Sequence, residues 1–256
     1  MTTRAELTAI ARTRRRGGTI PATDVDWTDR LRLDRDRARQ NQSPGLAAIT
    51  AEVEARCREL GAQALVLTGS TARGRCTPVS DLDYHVIGAR PDVADLAEDI
   101  DLYSDEPAEF LAKLREGDDF VQWSVRCGCV LFDTGPIEEG ARLITRLSLW
   151  PDPGRKLWQA RRTLEFAEQL VASGDYEAAL EQTRGALSLT ARWYLLAHDT
   201  FPLARDELSS QLPALGFEAL AQALSRSIHE RPPEATLARA LNVARALVDH
   251  RTAQNK

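Results

Sequence analysis

Lysine is almost missing from this sequence. Of its 33 basic residues only Lys113, Lys156 and Lys256 are lysines, and 38 acidic residues leave a formal net charge of -5. That balance argues against a protein that coats nucleic acid, so no stable nucleic-acid partner is expected, although a local basic groove is still allowed. Cysteine is scarce too. Cys57, Cys76, Cys127 and Cys129 form no Cys-x-x-Cys pair, which excludes a zinc site of that kind and leaves reduced thiols in a cytoplasmic protein as the expectation. No apolar run approaches the roughly 18 residues of a membrane span, so no membrane partner is expected. Arg14, Arg15 and Arg16 are not followed by an apolar segment, so no secretory signal is expected either. Self-similarity at a period of about 20–50 residues is also lacking, which argues against a repeat architecture.

What is present is a substantial core. Apolar residues make up 43% of 256, enough for two modest domains or one large one. The most informative stretch starts at Ala64–Leu67, a short apolar run bounded by turn chemistry that reads as a buried strand. Gly69-Ser70 breaks it, and Thr71 to Gly74 can start a short helix. The first N–H groups of a helix are unpaired, and a hydroxyl beside them makes a natural phosphate seat. The chain returns through a loop at Pro78 into a second strand, Asp81 to Ile87, with Asp81, Asp83 and His85 on one face and Leu82, Tyr84 and Val86 on the other. Carboxylates at i and i+2 on a strand are about 7 Å apart at Cα, close enough to converge on one hard cation. Magnesium is commonly held by one or two carboxylates plus substrate phosphates. A phosphate seat and a metal chelate on neighbouring strands are the equipment for reaction at a nucleoside triphosphate.

Gly69-Ser70, Arg73-Gly74 and Ser80-Asp81-Leu82-Asp83, in that order between two apolar strands, resemble the signature of the polymerase-beta-type nucleotidyltransferase superfamily. The likeness is to its small bacterial branch of antibiotic and minimal nucleotidyltransferases, and it covers about residues 45–135. It implies an α/β (α+β) nucleotidyltransferase domain with a small mixed sheet, Mg²⁺ as cofactor and ATP or another NTP as co-substrate. It also implies a third acid from a neighbouring strand, as metal ligand or as base for the acceptor hydroxyl.

Residues 1–44 read as a polar helical extension, with helices over Glu6–Arg14 and Trp27–Gln40. The second interleaves Asp and Arg, the mark of a solvated helix, while Trp27 suggests some docking. Ser43 as cap and Pro44 at the first position start the next helix, which Gly61 stops. Asp99 to Ser104 reads as a third strand, Pro107 to Glu116 as a helix, and Phe120 to Phe132 as one long alternating strand ended by Asp133-Thr134-Gly135-Pro136. Near Pro151 to Pro153 the signals turn wholly helical, which divides a nucleotidyltransferase domain (45–150) from an all-α helical bundle domain (151–256). The bundle helices are expected at 156–173, 176–198, 204–211 and 213–227, with a last one after Pro232-Pro233. Gly174-Asp175-Tyr176 and the run Phe201 to Arg205 resemble the bundle of the HEPN family.

The candidate site follows. Asp81 and Asp83 are the metal pair, and Gly69 and Ser70 seat the β- and γ-phosphates. Arg73 and Arg75 are phosphate contacts or solvated loop arginines; Ser80 orients Asp81 or closes a turn. His85 shares the acids' face, where a histidine is more often a hydrogen-bonded wall residue than a substrate contact. Lys156 is either a triphosphate contact at the mouth of the bundle or a solvated first-turn lysine. Asp101, an acid between Ile100 and Leu102, is expected as the third catalytic and metal-binding carboxylate, on a strand running antiparallel to the Asp81–Ile87 strand. Asp133, Glu138 and Glu139 are its alternates. Arg192 and His198 match the loose Arg-x(4–6)-His pattern of HEPN ribonucleases.

These readings point to a magnesium-dependent transfer of a nucleotidyl group, AMP from ATP foremost, to a hydroxyl-bearing acceptor. The acceptor is a small molecule such as an antibiotic or a protein hydroxyl, as in toxin–antitoxin-related AMPylators. The helical domain is expected to form the other wall of the cleft. The rivals are a HEPN-type ribonuclease built on Arg192 and His198 and a non-catalytic nucleotide-binding regulatory module.

Overall fold

The computed structural model describes residues 26–77, 80–96, 99–229, 241–242 and 245–246. The helix expected over Glu6–Arg14, the loop at Pro78 and most of the last helix lie outside them. The chain divides into two compact units, one ending at Pro151 and the other beginning at Asp152.

In the first unit, α1 (Trp27–Gln40) and α2 (Pro44–Glu59) lead into β1 (Ala64–Leu67) and the one-turn helix α3 (Gly69–Ala72). There follow β2 (Leu82–Ile87), β3 (Ile100–Asp105), α4 (Pro107–Arg115), α5 (Asp119–Cys127), β4 (Cys129–Asp133) and α6 (Pro136–Leu147). The fold is α+β, around a four-stranded mixed sheet in the order β3-β2-β1-β4. β1 is antiparallel to β2 and to β4, and β2 is parallel to β3.

β1 is apolar throughout because helices cover both of its faces. Its register, Ala64 to Ile87 and Val66 to His85, puts those four residues on one face. Ala64, Val66, Ile87 and Val130 build the core there with Phe110, Leu114, Val121, Val125 and Ile137 from α4, α5 and α6. On the opposite face α2 meets the sheet, with a 2.6 Å hydrogen bond between Thr50 Oγ1 and Tyr84 Oη and with the Arg58 guanidinium over the Phe132 ring. Ser43 caps α2 through the Leu46 N–H, and Pro44 occupies its first turn.

Two sequence expectations are corrected here. The strand expected over Phe120–Phe132 is a helix, α5, followed by the short strand β4. The Asp118 carboxylate caps α5 by accepting from the Phe120 and Val121 N–H groups, and Val121 and Val125, four residues apart, enter the core together. Nearly every residue of α5 is buried, so apolar residues fall at both periods and alternation carries no information. Gly128 allows the sharp change of course: a Cβ there would lie 2.4 Å from Val66 Cγ1 and 2.6 Å from the Ser124 carbonyl oxygen. The second correction concerns β3, which runs parallel, not antiparallel, to β2.

α1 is not merely a solvated extension. Arg30, Asp34 and Ala38 are buried, and the helix lies along β4, the edge strand. Asp34 Oδ2 accepts from the Val130 N–H at 3.2 Å, Arg37 donates to the Gly128 carbonyl at 2.7 Å, and Arg35 donates to the Leu131 carbonyl. Leu131 is the extra residue of a bulge between Val130 and Phe132. A helix thus occupies backbone groups that an open sheet edge would present to another chain.

The second unit contains α7 (Pro153–Ser173), α8 (Tyr176–Ala197), α9 (Arg205–Gln211), a 3₁₀ turn (Pro213–Leu215) and α10 (Glu218–His229). Gly174, at φ +83°, closes α7, and Asp175 caps α8. The core is made of Leu164, Leu187, Leu195, Leu208, Leu212 and Leu224, with alanines and Trp193 and Tyr194 between them.

Candidate active site

The site forms where β1 ends and β2 begins. After Leu67 the chain turns at Gly69, which has φ +64°. A Cβ at Gly69 would fall 1.9 Å from Asp83 Oδ2, so the Asp83 carboxylate lies directly against this turn. Two features make glycine necessary here: the left-handed backbone and the approach of the carboxylate. The Thr68 N–H donates to the Asp83 carbonyl at 2.8 Å and fixes the depth of the turn against β2. Ser70 is in the first turn of α3, and its carbonyl accepts from the Arg73 and Arg75 N–H groups. The Thr68 and Thr71 hydroxyls flank the turn, are buried and have no hydrogen-bond partner among the described residues.

Asp81, Asp83 and Asp101 gather beside it. Asp83 and Asp101 are register partners on β2 and β3, so their Cα atoms are about one strand spacing, ~4.8 Å, apart. The parallel direction of β3 therefore gives the adjacency expected of the antiparallel one. Burial, then the charges of Asp101 and Asp81, push the Asp83 carboxyl up to about 6. Among the described residues none of the three side-chain carboxylates has an ion-pair or hydrogen-bond partner. No group of three or more His, Cys, Asp or Glu side chains among the described residues is placed to hold a metal ion by itself. The donor set nevertheless suits a hard divalent cation, because neighbouring carboxylates without a counter-charge are what such an ion relieves. Magnesium takes the rest of its shell from water and phosphate oxygens.

Other candidates are engaged elsewhere. Ser80 closes a turn: its Oγ accepts from the Thr77 N–H at 2.8 Å. Arg73 caps the end of α3, and Arg75 is exposed. Asp133 sits at the far end of β4, opposite Ala64, with its carboxylate taking N–H donors from Gly135, Ile137 and Glu138 and from the Trp27 indole. Glu138 pairs with Arg142 in the first turns of α6, and Glu139 is in the same turn. These alternates belong to the opposite end of the sheet from Asp83. Lys156 is in the second unit, at the start of α7, and donates to Gln159. Arg192 donates to the Leu203 carbonyl. His198 is hydrogen-bonded to the Tyr194 carbonyl and packs on the Tyr194 and Phe217 rings.

His85 is a wall residue of an elaborate kind. It is fully buried between Ser124 Oγ, 3.0 Å from Nδ1, and Asp105 Oδ2, 3.1 Å from Nε2. Lys113 Nζ reaches Asp105 and Glu109 at 2.6 Å and the Tyr103 hydroxyl at 2.8 Å. Burial pushes the Asp105 carboxyl up, but the hydrogen bonds from His85 and Lys113 outweigh it and hold it below its ordinary value. Asp105, Lys113, Ser124 and Tyr103 were not singled out by sequence reasoning. The available signal was the alternation of β3, which places Asp101, Tyr103 and Asp105 on one face.

No family model and no curated protein matches the chain. Among solved structures it is similar to a nucleotidyltransferase-like protein from Exiguobacterium sibiricum 255-15. The identity is 16%, the match covers 77% of this chain and 74% of that one, and the TM-score is 0.41. A likeness that loose carries no weight in assigning a reaction, which has to come from the site. Among the described residues no helix is long and apolar enough to cross a membrane.

Proposed function

We propose that this protein is a magnesium-dependent nucleotidyltransferase that moves a nucleoside monophosphate, AMP foremost, from an NTP to an acceptor hydroxyl. The observation that supports this reading best is the contact between the Gly69 turn and the Asp83 carboxylate, where phosphates and a metal ion would meet. Gly69 and Ser70 would hold the β- and γ-phosphates. Asp81 and Asp83 would hold Mg²⁺, with Asp101 alongside. When bound, the ion neutralises phosphate charge and orients the attacking and leaving oxygens. The acceptor oxygen forms a bond to the α-phosphorus as the bond from that phosphorus to the pyrophosphate oxygen breaks. The acceptor proton goes to the Asp101 carboxylate, the exposed acid beside Asp83. The remaining contribution is positioning and electrostatics.

The test is calorimetric titration of ATP with and without Mg²⁺, followed by incubation with each labelled NTP and a panel of hydroxylated acceptors. Binding that needs Mg²⁺, and label transfer lost by at least about a hundredfold in Asp83→Asn with the fold intact, is the expected result. Absence of any nucleotide binding with the metal present would sink the reading. Binding without transfer to any acceptor would favour the regulatory module.

A further inference from the structure

Two large aromatic side chains lie open on the face that carries the acids. Tyr103 is 39% exposed and Phe120 38%, and their rings meet edge to face at 4.8 Å. Tyr103 follows Asp101 by two residues on β3, so it faces the same way about 7 Å further along. It is also the register partner of His85, as Asp101 is of Asp83.

This pair is held rigidly. The His85 ring packs against Tyr103 at 5.0 Å and Phe120 at 5.3 Å from below. Lys113 fixes the Tyr103 hydroxyl, and its three donors are consumed by Tyr103, Asp105 and Glu109. Lys113 is therefore a strut, with no donor left for an anionic ligand. What the pair presents outward is neutral ring surface. Exposed aromatic rings that need no further ordering bind flat partners at low entropic cost.

In-line displacement says which substrate meets them. The leaving pyrophosphate belongs on the Gly69-Ser70 seat, on the β1 side of Asp83. The attacking oxygen must then come from the opposite side, over β3, where Asp101, Tyr103 and Phe120 lie. We infer that Tyr103 and Phe120 form the acceptor-binding step of this site and that the acceptor is an aromatic alcohol, its hydroxyl carried on or next to a flat ring. The inference rests on the nucleotidyl-transfer reading and adds the acceptor's class and the residues that select it.

A matched pair of probes isolates the ring: 4-(hydroxymethyl)benzamide and its saturated counterpart 4-(hydroxymethyl)cyclohexanecarboxamide, each with labelled ATP and Mg²⁺. The wild type is expected to favour the aromatic probe by about tenfold in kcat/KM. Tyr103→Ala with Phe120→Ala should raise KM for that probe by a similar factor and erase the preference, with ATP affinity by calorimetry unchanged. Tyr103→Phe keeps the ring and should stay near wild type. Equal use of the two probes, transfer to neither, or an unchanged KM in the double variant overturns the inference while Mg²⁺-dependent ATP binding persists. Loss of ATP binding by the wild type itself would instead fell the parent reading.

Discussion

The two units bury different chemistry. Among the described residues, the interior of the first contains Arg30, Asp34, His85, Asp105, Asp119 and Arg126, whereas the second buries only Thr and Ser as polar groups. In the second unit the Thr183 hydroxyl donates to the Ala179 carbonyl and that of Thr190 to the Ala186 carbonyl, both within α8. The first satisfies its charges across elements, with His85 on β2 meeting Asp105 on β3 and Ser124 on α5. Buried charge is costly unless paired, so a unit that keeps it gains shape and orientation more than stability. Of these buried groups His85 and Asp105 lie on the strands that carry Asp83 and Asp101, whereas the helical unit is built by packing.

The comparison can be broken hardest at Asp83. Beyond the loss of transfer, Asp83→Asn should change the pH response of the metal-free protein. The Asp83 carboxyl is held at about 6, above an unfolded value of roughly 3.9. The folded state holds that proton more tightly, so the contribution is full below the unfolded value and is lost as pH rises through about 6. Thermal melts without metal should therefore show wild type losing stability as pH rises from about 4 to about 6.5, and Asp83→Asn losing less over that range. Equal slopes would show that Asp83 is not the strained acid.

Gly69→Ala comes next. The side chain must displace Asp83 and adopt a left-handed backbone, at a cost of about 1–3 kcal/mol. Denaturant titration should show the destabilisation, and ATP binding with Mg²⁺ should weaken with it. Unchanged binding would separate the turn from the phosphate seat.

Lys113→Met should cost about 1–3 kcal/mol by leaving the Asp105 carboxylate with His85 as its one remaining side-chain partner among those described. Asp105 sits below its unfolded value, so its contribution is present above about pH 3.9 and is lost on acidification. The variant should lose less on going from pH 6 to pH 3 than wild type, as read by denaturant midpoints.

The smallest effect is expected in the second unit. Arg192→Ala with His198→Ala removes a carbonyl contact and a ring packed on Tyr194 and Phe217. Nucleotidyl transfer should stay within a few-fold of wild type. RNA cleavage by the wild type that vanishes in this double variant would give the second unit a chemistry of its own.

The sequence made the acids, the Gly-Ser turn and the helical tail legible because each rests on local rules. A break after an apolar run, an i, i+2 spacing and a 3.6-residue period can all be read without knowing the fold. β3 was read correctly as a strand, but its direction depends on the path of the link from Gly88 to Asp99, which carries no periodic signal. α5 was misread because Gln122, Ser124 and Arg126 alternate with apolar residues as on a strand, although all of them are buried in the helix. α6 passed unread, although Pro136 at its start and Ile137, Ala141 and Ile144 in the core fit a helix. The His85 network was invisible because Ser124 and Asp105 reach it from elements 39 and 20 residues away.

The same misreading touched α1, whose interleaved Asp and Arg look solvated. Its partners in α5 and β4 are 95 and 96 residues downstream. At roughly 5–20 residues per second of synthesis, the helix waits about 5–20 s for them to be made. A greasy helix left alone for that interval would invite the wrong contacts. One that carries its docking groups as carboxylates and guanidinium forks stays in water until the backbone it clasps exists.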